Sequence, residues 1–156
     1  MTDSTSGGCA CGAVRYRFAG EPVVTYKCYC THCQRAGGSG YLPIMWVAAR
    51  YFDVLSGELR FYYAEGDAGR KVGRGFCTEC GSPVYGEIKV PGIVPVIASS
   101  LDDPERYRAS MQIWTGSARS WDVLDPKLKS YETQFSTEEV REWLDALRAR
   151  NRKGSD

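Results

Sequence analysis

The chain lacks the features that would place it in a membrane or on nucleic acid. Its 156 residues contain no apolar run of about 18 residues, the length that a membrane-spanning helix needs. Twenty basic and nineteen acidic side chains nearly cancel, so no strong field attracts nucleic acid or an anionic membrane. Residues 1–8 are polar and lack the apolar core of a signal peptide. We therefore expect a cytoplasmic protein that binds neither nucleic acid nor membrane.

Histidine is also scarce, with one residue in the chain, whereas seven cysteines fall into three tight groups. The groups have the spacings C-x-C, C-x-C-x-x-C and C-x-x-C, and they comprise Cys9 and Cys11, then Cys28, Cys30 and Cys33, then Cys77 and Cys80. Thiolates at such spacings can turn toward one point, as a tetrahedral metal requires, whereas a disulfide across so short a loop is strained. In a cytosolic chain this clustering indicates metal binding or catalysis rather than disulfides.

Two of the groups predict a structural zinc site. The pairs Cys9–Cys11 and Cys77–Cys80 would each supply two thiolates, and four thiolates close a structural zinc site. Such a site ties residue 9 to residue 80 and thereby stabilises short strands that bury little surface alone. Gly81 directly follows the last cysteine, as suits the tight turn of a zinc knuckle. The middle group could instead join either pair, and the spacing alone does not exclude that division.

The middle group predicts a different kind of site because it has three cysteines. Cys28, Cys30 and Cys33 could hold a zinc whose fourth position is open to exchange, which is typical of catalytic zinc. An incoming thiol suits that position, since soft sulfur binds zinc well and the metal lowers the pKa of the thiol. The alternative is a second structural zinc completed by His32 or by water. Adjacent residues in an extended loop point apart, so His32 is the less favoured ligand.

The remaining pattern predicts a mainly β protein with one helix. Alternating or continuous apolar runs predict strands over residues 13–18, 23–27, 41–49, 59–64, 72–76, 84–88, 93–99 and 111–115. Repeated glycines predict a loop over residues 34–40. A helix is predicted from Ser136, because Glu139 completes a capping box and apolar residues then recur on one face. A chain of this length suits a single domain with its own core.

The cysteine motifs resemble those of a known family, the glutathione-dependent formaldehyde-activating enzymes, also called centromere-protein-V-like proteins. The resemblance rests on G-G-C-A-C-G at residues 7–12, K-C-Y-C-T-H-C-Q-R at 27–35 and F-C-T-E-C-G-S-P-V-Y at 76–85. Two later segments support it, S-L-D-D-P at 100–104 and Q-I-W-T-G-S-A-R-S-W at 112–121. It divides the chain into a zinc-binding domain over residues 7–130 and a C-terminal helical extension over residues 131–156.

The resemblance implies several coiled antiparallel sheets held by a structural zinc. It assigns the first and last cysteine pairs to that ion, and Cys28, Cys30 and Cys33 to a second, catalytic and labile zinc. The activity that it implies is a carbon–sulfur lyase reaction, which joins glutathione with formaldehyde or another small aldehyde. Gln112 stands where the family often has histidine, and an amide cannot relay a proton as an imidazole can.

Some further residues are candidates for contact with glutathione. Arg35 could hold a carboxylate in a bidentate contact, and the glycines around Ser39 could present backbone N–H groups to an anion. The ordinary alternatives are a solvated arginine and a flexible turn. Trp46, Tyr62 and Tyr63 could line a pocket, although aromatic strand residues more often form core.

The alternative to an enzyme is a non-catalytic, zinc-stabilised module that binds protein partners.

Overall fold

A computed structural model of the chain describes residues 4–66, 69 and 71–153. The strands are β1 (Ser4–Gly8), β2 (Arg15–Ala19), β3 (Val24–Cys28), β4 (Leu42–Ala48), β5 (Phe52–Ser56), β6 (Leu59–Glu65), β7 (Lys71–Cys77), β8 (Pro83–Glu87), β9 (Ile93–Ile97), β10 (Met111–Ile113) and β11 (Lys129–Ser130). The helices are α1 (Thr31–Gly37) and α2 (Thr137–Lys153). The expectation of a mainly β protein with a C-terminal helix is confirmed.

The strands form two sheets. The small sheet has the order β1-β2-β5, and the large one has the order β11-β10-β3-β4-β9-β8-β7-β6. Most neighbouring strands are antiparallel, as predicted, but β10 runs parallel to both β3 and β11. The prediction of antiparallel sheets is therefore wrong at β10. This strand reaches β3 after a long connection, which allows a parallel pairing that a hairpin cannot make.

Strand β4 is covered on both faces and lies between two apolar cores. Ile44 and Trp46 belong to the first core, which α2 covers. Met45 and Val47 belong to the second core, which includes the buried ring of Tyr16. Successive side chains of a strand point to opposite faces, so the uninterrupted apolar run at residues 44–47 indicates burial on both sides. This strand fixes the positions of both cores and of the sites built on them.

Helix α2 begins and packs as the sequence predicts. Ser136 Oγ accepts a hydrogen bond from the Glu139 N–H at 3.2 Å, and Glu139 Oε2 accepts one from the Ser136 N–H at 2.9 Å. This reciprocal pair is a capping box. The apolar stripe that packs against the first core comprises Val140, Trp143, Leu144 and Leu147. Among the residues that the structure describes, neither helix combines the length and apolar character needed to cross a membrane.

Helix α1 corrects the prediction of a loop over residues 34–40. It spans Thr31–Gly37 and ends at Gly38, which adopts a left-handed conformation with φ of 65°. Cys30 is the N-cap residue, and its Sγ accepts a hydrogen bond from the Cys33 N–H at 3.3 Å. A helix of seven residues shows too little apolar periodicity to be recognised from sequence. Its glycines therefore suggested a loop, although they mark the end of a helix.

Candidate functional site

The first and last cysteine pairs meet in space. The Sγ atoms of Cys9, Cys11, Cys77 and Cys80 all lie within 4.8 Å of one another. The Cys9–Cys11 sulfur distance is 3.5 Å, and the Cys11–Cys77 sulfur distance is 3.8 Å. Zinc–sulfur bonds of about 2.3 Å in a tetrahedron separate the sulfurs by about 3.8 Å. The four donors therefore fit a structural zinc in both chemistry and spacing, and we call them the four-cysteine site.

Two tight turns build the four-cysteine site. In the first, the Gly12 N–H donates to Cys9 O at 3.1 Å, and in the second, the Gly81 N–H donates to Cys77 O at 2.8 Å. The glycines have φ of 79° and 74°, a region that other residues seldom adopt. Each turn folds a short segment back on itself, so that the paired sulfurs point to a common centre.

Ser82 links these two turns. Its Oγ accepts a hydrogen bond from the Ala10 N–H at 3.1 Å and lies 3.1 Å from Cys80 Sγ. The hydrogen bond from the Ser82 hydroxyl, with that from its backbone N–H, lowers the pKa of Cys80 to about 5. A thiol that ionises readily is a better metal ligand, since the thiolate is the species that binds.

The middle group forms a second cluster, the triad. Cys28 ends β3, Cys30 caps α1 and Cys33 lies in its first turn, and their Sγ atoms lie within 4.8 Å of one another. Hydrogen bonds from Cys28 and Cys33 lower the pKa of Cys30, whereas hydrogen bonds with Cys30 and Cys33 raise the pKa of Cys28. Three thiols this close do not ionise together unless a cation lies between them. The triad therefore also suits a metal that prefers sulfur.

The triad gathers three donors and no fourth from the described part of the chain. No histidine nitrogen, carboxylate oxygen or further sulfur within residues 4–66, 69 and 71–153 joins the group. His32 is exposed on α1 and does not take part. A metal held by these three sulfurs would keep a coordination position for a ligand from outside.

A cleft of about 480 Å³ opens at the triad. All three triad cysteines and His32 contribute to its lining. The four-cysteine site lies elsewhere, on the other core. The apolar side chains that line the cleft include Leu42, Ile44, Trp46, Tyr85, Ile88 and Phe135. The cations that line it are Lys71, Arg74 and Lys89. The triad is thus reachable by a small molecule, in a cleft whose lining holds both apolar and cationic side chains.

Arg74 is one of the cleft residues that sequence analysis missed. It lies on β7, and its Nη1 is buried without a hydrogen-bond partner among the residues described. Gly73 and Gly75 flank it where the chain is crowded, since a Cβ on Gly73 would lie 2.8 Å from the Tyr63 ring. The available signal was a lone arginine between two glycines in a strand that leads into the last cysteine pair.

The structure places the other candidates in different surroundings. Arg35 and Ser39 are exposed and are not among the described residues that line the cleft, so their contact with glutathione stays a prediction. Trp46 lines the cleft and is also a core residue, with 4% of its surface exposed. Tyr62 and Tyr63 are 63% and 53% exposed on β6, and the described lining does not include them.

Gln112 has a structural role at the position where the family often has histidine. Its Nε2 donates to Asp125 O at 2.9 Å and to Ser130 Oγ at 2.7 Å, and its Oε1 accepts from the Asp125 N–H at 3.2 Å. The side chain is 1% exposed and does not belong to the described lining of the cleft. The amide therefore secures the segment around β11 to β10.

Comparisons with known proteins agree with the motifs and the fold. The sequence model of the glutathione-dependent formaldehyde-activating enzyme family matches residues 4–117, a span that holds all seven cysteines. A Halomonas elongata protein whose name assigns it to the same enzyme type is 34% identical over 116 residues, which cover 68% of this chain and 74% of that protein. A crystal structure of a Rhodobacter sphaeroides protein shares the fold, with a TM-score of 0.51 at 18% identity, over 81% of this chain and 98% of that one. The chain therefore belongs to the glutathione-dependent formaldehyde-activating enzyme family.

Proposed function

We propose that the chain is a zinc-dependent carbon–sulfur lyase that forms and cleaves the adduct of glutathione with formaldehyde or another small aldehyde. Family membership supports an enzyme directed at glutathione and formaldehyde. The observation that carries the proposal is the position of Cys28, Cys30 and Cys33 in the lining of a cleft. A small thiol that enters this cleft reaches three sulfur donors that leave a metal incompletely coordinated.

The four-cysteine site has a structural role in this proposal. Four protein donors satisfy zinc completely, and they leave no position for a substrate. The site joins the turn after β1 to the turn after β7, which fixes distant parts of the chain to each other. None of the seven cysteines forms a disulfide, which supports a proposed location in the reducing cytoplasm.

The triad is the proposed catalytic site. Zinc held there would supply a Lewis acid that lowers the pKa of a thiol in its remaining position. The protein keeps the three sulfurs in place, because Cys28 is fixed by β3 and the other two by the first turn of α1. Cys28 and Cys33 are buried in the apolar core, so water is excluded from one side of the reacting sulfur.

The reaction forms one carbon–sulfur bond and consumes no oxidant or reductant. The thiolate sulfur attacks the aldehyde carbon, the carbonyl electron pair moves to oxygen, and the oxygen takes a proton to give a hydroxymethyl thioether. Cleavage follows the same steps in reverse. His32 lines the cleft and is exposed, so it is placed to exchange this proton with solvent.

The cationic side chains of the cleft suit the charge of glutathione, which carries two carboxylates and one ammonium group. Lys71, Arg74 and Lys89 would attract such an anion into the cleft. Arg35 and Ser39 remain candidates for a contact outside the described lining. We expect the cleft cations to contribute more, since they lie on the same surface as the triad.

The test is the rate at which the protein interconverts glutathione, formaldehyde and their adduct, measured by magnetisation exchange with ¹³C-formaldehyde. Zinc-loaded protein should accelerate the exchange above the spontaneous rate, and Cys30→Ser and Cys33→Ser should each reduce that acceleration at least about 100-fold. His32→Gln should reduce it less, by about 10-fold, because solvent can replace a proton carrier. Exchange that persists unchanged in both folded cysteine variants would refute the proposed role of the triad.

The alternative is a zinc-stabilised module without catalysis. It predicts two zinc ions that resist mild chelation equally and do not respond to glutathione. The proposed lyase predicts instead that the triad ion is removed first and that glutathione changes its rate of loss. Zinc release followed with a colorimetric chelator, with and without glutathione, distinguishes the two functions. The accessible cleft at the triad favours the lyase.

A further inference from the structure

One wall of the cleft comes from the C-terminal part of the chain. Thr133, Gln134, Phe135 and Val140 contribute to the lining, and all four lie beyond residue 117, where the family match ends. The family's shared sequence thus supplies the triad, whereas a segment outside that match shapes the space beside it. This arrangement points to a specificity element rather than to a part of the shared chemistry.

Phe135 is held rigidly in this wall. Its ring makes edge-to-face contacts with Trp46 at 5.4 Å, Trp143 at 4.9 Å and Tyr26 at 5.7 Å between centroids. Trp46 is itself fixed, because its Nε1 donates to Tyr26 Oη at 2.8 Å. A wall of interlocked rings keeps its shape without a ligand, and a preformed apolar surface binds an apolar group at little entropic cost.

Trp114 ties the C-terminal wall to β10. Its backbone lies in the left-handed region with φ of 59°, which is uncommon for a residue other than glycine. Its backbone N–H donates to Thr133 O at 2.8 Å, and its Nε1 donates to Gln134 Oε1 at 3.0 Å. Backbone strain of this kind persists where the surroundings enforce it, as they do at binding sites.

The apolar wall is continuous with the triad. Cys28 and Cys33 belong to the same apolar cluster as Trp46, Phe135 and Ile113. A group attached to a sulfur at the triad therefore meets apolar side chains rather than water. The hydroxymethyl group of a formaldehyde adduct has no apolar body and gains nothing from such a wall.

Arg74, in contrast to the apolar wall, requires a polar group on the ligand. Its buried Nη1 lacks a partner among the described residues, and a buried donor of this kind is stabilised when an acceptor reaches it. A carboxylate is the acceptor that a guanidinium group binds best, because two parallel hydrogen bonds can form. The cleft therefore suits a thiol adduct that carries both a carboxylate and an apolar group.

We propose that the cleft binds the glutathione adduct of a carbonyl compound larger than formaldehyde, with an aromatic or branched apolar group against Phe135 and Val140 and a glutathione carboxylate on Arg74. The inference rests on the proposed function, since it requires a thiol adduct at the triad. The step is unchanged in kind: the carbon–sulfur bond of the hemithioacetal breaks, its hydroxyl proton leaves, the carbonyl reforms and the released thiolate takes a proton. The C-terminal segment thus selects the carbonyl compound.

The test compares two stable thioethers, S-methylglutathione and S-benzylglutathione, by calorimetry on the zinc-loaded full-length protein. S-Benzylglutathione should bind at least about 10-fold more tightly, because its phenyl ring is buried against the wall. Val140→Trp should fill this space and remove the preference for S-benzylglutathione over S-methylglutathione. Val123→Trp is the matched control, since Val123 is 82% exposed and outside the described lining.

A second pair of variants tests the proposed contact between Arg74 and a glutathione carboxylate. Arg74→Gln should weaken the binding of both thioethers about 10-fold, because both carry the same carboxylates. Arg60→Gln is the control: Arg60 is exposed on β6, and its substitution should change neither affinity. Circular dichroism and thermal melting confirm that each variant is folded before its affinity is compared.

The possible failures of the two proposals differ. Equal affinities for the two thioethers, with Val140→Trp indistinguishable from Val123→Trp, would overturn the larger apolar substrate and leave the triad chemistry intact. Absence of binding by both thioethers would also overturn it. The proposed lyase itself falls only if aldehyde exchange is also independent of Cys30 and Cys33.

Discussion

Met45 and Trp46 are neighbours in β4, yet they face different cysteine clusters. Trp46 packs in the core that contains Cys28 of the triad. Met45 packs in the core that contains Cys9 of the four-cysteine site. Because consecutive side chains of a strand point to opposite faces, the large sheet that contains β4 separates the two clusters. The clusters are therefore independent, and each can be tested by changing a single cysteine.

Loss of one donor from the four-cysteine site should destabilise the whole protein. We expect Cys80→Ser to lower the free energy of unfolding by more than about 3 kcal/mol, since structural zinc contributes about 10 kcal/mol of apparent binding energy in small domains. The side chain of Cys80 is exposed, so lost packing cannot explain a large effect. Denaturant unfolding followed by circular dichroism measures the change.

The matched control is Cys30→Ser, in the triad. It should release one zinc per chain but lower the free energy of unfolding by no more than about 1 kcal/mol, because a serine hydroxyl can still cap α1. Equal destabilisation by Cys80→Ser and Cys30→Ser would contradict the division into a structural and a catalytic site.

Gly7 should not tolerate a side chain. An added Cβ would collide with the hydroxyl of Tyr16 and lie 2.5 Å from Ser100 O. Tyr16 cannot move aside, because it is fully buried and its Oη lies 2.8 Å from Ser100 Oγ in a hydrogen bond. We expect Gly7→Ala to cost about 1–3 kcal/mol of stability, measured by urea unfolding. The exposed Ser4→Ala, in the same strand, should stay within about 0.5 kcal/mol.

Gln112 should affect stability and not the chemistry. Gln112→Ala leaves the Asp125 N–H and carbonyl without their partners, which we expect to cost about 1–3 kcal/mol. The exchange rate per folded molecule and its pH dependence should match the wild type. A changed pH profile in Gln112→Ala would show that this position takes part in proton transfer after all.

The cap of α2 should respond to acid. Lys129, followed by Tyr131 and Ser136, lowers the pKa of Glu139 from 4.5 to about 2. Because the folded-state pKa is depressed, the stabilisation is complete above pH 4.5 and is lost as the pH falls toward 2. We expect Glu139→Gln to be less stable than wild type by about 1 kcal/mol at pH 7.

The informative quantity is the difference in the free energy of unfolding between the wild type and Glu139→Gln. Acid also releases zinc from thiolate sites, but it does so equally in both proteins. The stability gap between wild type and Glu139→Gln should therefore close as the pH falls from 4.5 toward 2. A gap that stays constant over this range would show that the carboxylate charge does not support the helix.

The parts of this protein that sequence analysis predicted are those that depend on residues near one another in the chain. The cysteine groups follow from spacings of one or two residues, and the start of α2 follows from Ser136 and Glu139 three positions apart. Strand β4 is recognisable from its apolar run at residues 44–47. In each case the pattern itself contains the physical requirement, whether a common ligand centre, a cap or burial.

The parts that were missed depend on partners far along the chain. Strand β1 has the sequence S-T-S-G-G, which shows no apolar alternation. It becomes a strand because β2 pairs with it along its whole length. The cleft likewise joins Arg74 of β7 to Phe135 before α2, residues that nothing in the local sequence connects. Such contacts arise from topology, so the motifs located the cysteine clusters but not the cleft surface beside the triad.

The central claim is that one cysteine cluster encloses its metal and the other leaves it open to a thiol. Cadmium-113 NMR of the cadmium-substituted protein tests this directly, because each bound cadmium reports its own ligand set. We predict two signals, of which one is unchanged by glutathione and the other moves as a fourth sulfur binds, and Cys30→Ser should remove only the second. A single signal, or two signals that glutathione leaves unchanged, would contradict the account.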